Sequence, residues 1–247
     1  MAKFTLAQFE DFLSKIDLNS YRERFQSIKT VEMDLIMPKP HNIQALKTIY
    51  EQYWKNKDNR TNPPMFDEYY DIYYKENEQD ILLFWHNTGF GTNCNCFQKG
   101  LKARIYRTWA SLITQIQGGY VAESVFGKGS VRMGTELDHK NVDILIVNSD
   151  GSDKLKIQIK KETHRPEIAR MQKNNQSADG IVDVYYIVVS QKDYDNPYYK
   201  RNGKKYKIGD EKPFVKDFIK WYPETGTMNR LSNGFTIFTK NAFIYLK

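Results

Sequence analysis

Val142-Asp143-Ile144-Leu145-Ile146-Val147, then Ser149-Asp150-Gly151-Ser152, then Leu155-Lys156-Ile157-Gln158-Ile159-Lys160, form two extended runs with a turn between them. The first is apolar and mostly β-branched apart from Asp143, the mark of a strand covered on both faces. The second alternates strictly, and the intervening residues favour a tight turn, so the pair predicts a β-hairpin. On the second strand Ile157 and Ile159 share one face, and Lys156, Gln158 and Lys160 share the other. A carboxylate such as Asp143 inside a buried strand is costly unless a cation or a metal compensates it. The polar face of the neighbouring strand can meet that need.

Outward from the hairpin, residues 181–189 are apolar almost throughout and predict a third strand in mid-sheet. A helix near 214–221 and a last β segment at 234–239 follow. The front half has helical periodicity instead. Phe4, Leu6, Phe9, Phe12, Leu13 and Ile16 make one amphipathic stripe. Helices are predicted at 42–55 and 66–84, separated by Asn62-Pro63-Pro64. Another is predicted at 101–117, closed by Gly118-Gly119, and a short one at 120–125, ended by Gly127. The fold class expected is α/β, a central mixed sheet flanked by helices with a helical N-terminal half. Residues 1–98 would be a helical region packed on the core, and 99–247 the core with a basic C-terminal portion, in one compact unit.

With 247 residues, 40% hydrophobic and 27% charged, the chain is ordinary for a globular protein. No apolar run approaches the ~20 residues of a membrane span, and the N-terminus lacks the apolar stretch of a signal peptide, so a cytoplasmic protein is expected. Cys94 and Cys96 stand one residue apart, too close for comfortable mutual pairing. With His86 they invite a zinc reading, but no fourth ligand lies nearby, and reduced cysteines fit better. The net charge of +7 is unevenly spread: residues 1–150 carry −1 and residues 151–247 carry +8. A polyanionic partner, nucleic acid first among them, follows from that asymmetry.

Asp143 followed by Gln158-Ile159-Lys160 on the next strand is similar to the pattern of a large nuclease superfamily, an aspartate on one strand and Asp/Glu-x-Lys on the next. Oxygens on adjacent strands can hold Mg²⁺ against a phosphate while the lysine positions or activates a water. Gln158 lowers the ligand charge relative to an acid. Glu123 on the preceding helix, Asp138 just before the first strand, and Glu162, with the strand parity of Lys160, are candidates to make up the difference. His139 and His164 flank the site.

Longer strings carry a more specific resemblance. Lys102-Ala-Arg-Ile-Tyr-Arg-Thr-Trp-Ala-Ser-Leu-Ile-Thr-Gln-Ile-Gln117, Gly119-Tyr-Val-Ala-Glu-Ser-Val-Phe-Gly127, Glu136-Leu-Asp-His-Lys-Asn-Val-Asp143 and Ile157-Gln-Ile-Lys-Lys-Glu162 resemble the TaqI family of type II restriction endonucleases. So do Asp17-Leu18, Ser20-Tyr21 and Tyr53-Trp54-Lys55 in the front half and Asn233-Gly-Phe235 in the tail, while 56–98 and 163–179 depart from it. The resemblance implies a Mg²⁺-dependent enzyme cutting double-stranded DNA at the palindrome TCGA, between T and C, with 5′ overhangs. It also implies a homodimer on DNA, since a palindrome presents two symmetric half-sites, and a DNA methyltransferase as functional counterpart. The family's paired aspartates fall on Asp138 and Asp143, and its Gln-x-Lys-Lys-Glu on Gln158, Lys160, Lys161 and Glu162. With Glu123 added from its place on the preceding helix, Asp143, Asp138, Gln158 and Glu123 are the candidate metal ligands, and Asp138, Asp143, Gln158 and Lys160 the catalytic set. For DNA contact the candidates are Lys161, the basic hairpin with Lys200, Arg201, Lys204 and Lys205, and Arg104 and Arg107, neighbours on one helix. A nonspecific or structure-selective repair nuclease, and a non-enzymatic nucleic-acid-binding protein, are the alternative readings.

Overall fold

The computed structural model describes residues 5–25, 28, 64–87, 94–161, 180–186, 198–201, 204–207, 214–215, 218–221 and 226–247. In it the two extended segments form the expected antiparallel hairpin, β2 (Ile144–Val147) and β3 (Asp153–Lys161), with Ile144 opposite Ile157. The turn is built as its residues suggest. Gly151 takes φ 85°, the Asp150 carboxylate accepts from the Ser152 N–H at 2.9 Å, and the Asn148 N–H donates to the Ser152 carbonyl at 2.9 Å.

The chain divides into two compact units, Met1–Ile116 and Gln117–Lys247. In the first, α1 (Leu6–Ser14) starts at Thr5, whose hydroxyl accepts from the Gln8 N–H while the Gln8 side chain accepts from the Thr5 N–H, a reciprocal cap. The stripe of Phe9, Phe12 and Leu13 is buried. Two further helices are α2 (Leu18–Phe25) and α3 (Phe66–Asn87). Tyr21, Phe25, Phe66, Tyr106 and Trp109 meet in stacked, tilted or edge-to-face pairs at centroid distances of 5.2–6.5 Å, and Trp109 donates its Nε1–H to the Pro64 carbonyl at 3.1 Å. The predicted helix at 42–55 lies outside the described residues.

Where the sequence predicts a break at Gly118-Gly119, one helix, α4 (Cys94–Phe126), runs through. Its glycines serve close packing. A Cβ at Gly118 would sit 3.0 Å from the Phe238 ring and 3.4 Å from Ile159, so the helix propensity lost at glycine, roughly 1 kcal/mol, is offset by contact of helix on sheet. The helix ends instead at Gly127, with φ 107°.

The second unit holds a six-stranded mixed sheet in the order β1-β2-β3-β4-β8-β7. After β1 (Val131–Arg132) and a short helix α5 (Thr135–Asp138) come β2 and β3; β4 (Ile181–Tyr186) then lies parallel to both β3 and β8 and so is central, as predicted. Residues 187–189 lie outside the described residues. The predicted helix near 214–221 is wrong. That segment is β7 (Phe214–Val215) and β8 (Phe218–Trp221), with Ile219 paired to Val184. Its apolar spacing suits a helix, but its Phe, Val, Ile and Trp are strand formers, and pairing with the central strand prevails over local periodicity. The basic stretch forms a separate hairpin, β5 (Tyr198–Arg201) and β6 (Lys204–Lys207). The final β segment is β10 (Thr236–Phe238), paired with β9 (Met228–Arg230) and followed by α6 (Lys240–Ile244).

Gln117 joins the helix to β10. Fully buried, it donates to the Phe238 carbonyl at 3.0 Å and accepts from the Phe238 N–H at 2.9 Å, supplying both partners of a missing strand neighbour. The apolar face of the sheet, with Ile159, meets this end of α4, leaving the face of Gln158 and Lys160 on the other side. Among the described residues no helix is long and apolar enough to cross a membrane.

Candidate active site

The five-residue spacing of Asp138 and Asp143 has a local cause. α5 ends in a left-handed cap: Asn141 takes φ 58°, its N–H donates to the Asp138 carbonyl at 2.9 Å, and the Val142 N–H reaches the Leu137 carbonyl at 2.9 Å. Asparagine tolerates this conformation better than any branched residue. The cap turns the chain from helix into strand within three residues, and the Asp143 N–H at once donates to the Ile157 carbonyl at 2.9 Å, extending the β2–β3 ladder.

Asp143 is buried, 6% exposed, and its Oδ2 accepts from the Ile159 N–H at 2.6 Å. Burial pushes its carboxyl up to about 7; the charges of Asp138 and Asp183 act in the same direction, the Ile159 N–H and Lys160 in the opposite one. Burial also raises Asp138, against the nearby charge of His139. Lys160, two residues along the strand from Gln158, holds Asp183 on β4, with 2.7 Å between Nζ and Oδ2. Gln158 stands beside Asp183 in the parallel register. The structure thus brings Asp138, Asp143, Gln158 and Lys160 to one region of the sheet.

The Glu123 carboxylate accepts from the Gly129 N–H at 2.8 Å, closing the turn after α4. Lys161 is the last residue of β3, paired with Tyr186, and Glu162 and His164 lie outside the described residues. Lys200 pairs with Lys205, and Arg201 with Lys204, on the β5–β6 hairpin. Arg104 and Arg107 lie on the part of α4 within the first unit, both half-buried.

Asp183 is the residue that sequence reasoning misses. Its signal is present as an acid interrupting the apolar Ile181-Val182-Asp183-Val184, but its place beside Gln158 depends on a parallel register set by strands far apart in sequence. Asp183 is 5% exposed, and its Oδ1 has no hydrogen-bond partner among the described residues.

The donors available around Asp143 are carboxylate, amide and carbonyl oxygens, the chemistry that Mg²⁺-class ions prefer. Among the described residues, Asp138 and Asp183 act on Asp143 as like charges, which a divalent ion bound there would offset. Among the described residues no three Asp, Glu, His or Cys side chains already cluster as a ready metal cage. The amide of Gln158, the Ile159 carbonyl and water would have to complete a coordination shell, as is usual for Mg²⁺.

The TaqI restriction endonuclease family model matches residues 6–247. The type II restriction enzyme TaqI of Thermus aquaticus is 29% identical over 244 residues, covering 97% of this chain and 86% of its own. The type II restriction enzyme TthHB8I of Thermus thermophilus is 30% identical over 246 residues, with the same coverage of both chains. No solved structure matches the chain. A match through helical front, hairpin and tail alike makes this chain a member of the TaqI restriction endonuclease family, site-specific type II enzymes that act on double-stranded DNA.

Proposed function

We propose that the enzyme makes Mg²⁺-dependent double-strand cuts at TCGA, between T and C, leaving 5′ overhangs, and that its second unit is a restriction-endonuclease-like core. The observation that carries the chemistry is the buried Asp143 at the head of β2, bonded to β3 beside Gln158 and Lys160. Asp143 is the principal metal ligand, supported by Gln158 or the Ile159 carbonyl, with Asp138 a second ligand or a water-positioning group. When bound, a divalent cation neutralises charge on the scissile phosphate and lowers the pKa of a coordinated water. Lys160 orients the attacking water and stabilises negative charge as it develops. Lys161, the β5–β6 hairpin with Lys200, Arg201, Lys204 and Lys205, and Arg104 and Arg107 would meet phosphates. A palindromic target places two copies on the DNA, so the active form is a homodimer, working in the cytoplasm opposite a methyltransferase that protects the same sequence.

Digesting DNA of known sequence with Mg²⁺ and mapping the ends tests this. Discrete ends at TCGA that vanish with EDTA are expected. Ends at another tetranucleotide would overturn the specificity, and a smear of products would favour a nonspecific nuclease.

A further inference from the structure

If Asp143, Gln158 and Lys160 form the site, it has one acid fewer than its chemistry calls for, because Gln158 contributes a neutral amide. Asp183 lies one strand over. In the parallel β3–β4 register it stands directly beside Gln158, so the two side chains project from the same face as Lys160. Its carboxylate is buried, and one oxygen is engaged by Lys160 at 2.7 Å. Its other oxygen is also buried and meets no donor among the described residues. A buried acceptor left unsatisfied is costly and rare, so such an atom marks a place where something else binds. Asp143 meets the same stretch of β3 from the other side, accepting from the Ile159 N–H between Gln158 and Lys160 at 2.6 Å. Two carboxylates reaching β3 at neighbouring residues would both gain from a divalent cation between them.

We infer that Asp183 is a further carboxylate ligand of the metal site beside Asp143, standing in for the acid absent at Gln158: Oδ2 holds the Lys160 ammonium in place while Oδ1 faces the cation shared with Asp143. This deepens the nuclease reading of the site and rests on it. The competing account is a purely structural ion pair joining β3 to β4. The two differ in what happens to the metal. Removing Asp183 breaks the ion pair in either case, but a purely structural pair predicts unchanged metal affinity, and a ligand predicts weakened affinity.

The test uses the full chain and Mn²⁺ alone, with bound Mn²⁺ measured by electron paramagnetic resonance or calorimetry, beside Mg²⁺-dependent plasmid cleavage. Asp183→Asn should weaken Mn²⁺ binding about tenfold or more and slow cleavage, with Asp183→Glu recovering part of both. Lys160→Met removes the ion pair but keeps the carboxylate, so it should bind Mn²⁺ at least as tightly as the parent while failing to cleave. It also serves where Asp183→Asn does not fold. Unchanged Mn²⁺ affinity in Asp183→Asn, or a loss in Lys160→Met, would overturn the assignment, as would a parent protein that takes up no Mn²⁺. A parent that binds Mn²⁺ through Asp183 yet leaves DNA uncut would instead overturn the nuclease reading and leave the ligand standing.

Discussion

Asp67 and Asp143 are the same side chain in opposite surroundings, one in each unit. Asp67 opens α3, where its charge suits the helix N-terminus. Arg24 grips both its oxygens at 2.9 and 2.7 Å, and Lys102 adds a contact at 3.2 Å. The Arg24 hydrogen bonds, with help from Lys102, hold its carboxyl at about 2, well below the usual carboxylate range. Burial, with Asp138 and Asp183 acting in the same direction, raises the Asp143 carboxyl to about 7. A charge gripped by cations ties elements together; a buried one raised by desolvation and neighbouring acids has the surroundings of a ligand site. Strong perturbation by burial and like charge is a hallmark of functional sites.

The comparison breaks first, and most visibly, if Asp143 proves to be structural. Asp143→Asn keeps an acceptor for the Ile159 N–H while removing the charge. Cleavage should fall by about 10³ or more, the scale of losing a key electrostatic group at a reacting phosphate. Metal-free stability at pH 8 should rise, because a repelled buried charge is gone. Cleavage within tenfold of the parent, or a lower melting temperature, would put Asp143 in the same class as Asp67.

Next in size is the dependence on pH, where the two acids must differ in sign. Asp143 has a native value above that of the unfolded chain, so between about pH 4 and 7 the unfolded state binds fewer protons and stability falls as pH rises. A tenfold difference in proton affinity between the folded and unfolded chain corresponds to about 1.4 kcal/mol. The melting temperature of metal-free protein should therefore drop over that window, with Ca²⁺ restoring it near pH 8 and Asp143→Asn flattening it. Proton and metal also compete, so cleavage at pH 6 should need more Mg²⁺ than at pH 8. A metal-free melting temperature that holds steady from pH 4 to 7 would sink the electrostatic account of the site.

How much of the molecule is legible in its sequence follows from the range of each interaction. The β2–β3 hairpin is legible because Leu155 to Lys160 alternate and Gly151 supplies the turn, both local signals. Asp138 is legible as an acid just before the first strand, and its pairing with Asp143 as a resemblance; the physical basis, the left-handed Asn141 cap, has no periodicity to read. Gly118 reads as a stop because a glycine needed for close approach to Phe238 looks, in sequence, like one that ends a helix. Residues 214–221 read as a helix because their spacing fits one while their partner strand, β4, lies far away in sequence. Asp183 is hidden for the same reason: the register that sets it beside Gln158 is nonlocal.

The smallest effect belongs to Asp67, and its modest size is what distinguishes it. A drop from 3.8 to about 2 would be worth over 2 kcal/mol if undamped, but the Asp67 side chain is 48% exposed, and solvent screening reduces that to about 1 kcal/mol. Because the native value is depressed, the contribution is present above about pH 4 and is lost as pH falls toward 2. Asp67→Asn should thus lower the melting temperature by about 2–4 °C at pH 7, while Mn²⁺ affinity stays as in the parent. Arg24→Lys should cost less still, since it keeps the charge and gives up only the two-pronged grip on the carboxylate. If Asp67→Asn instead altered metal binding as strongly as Asp143→Asn, the contrast between an acid that ties helices together and one that awaits a cation would fail at its quieter end.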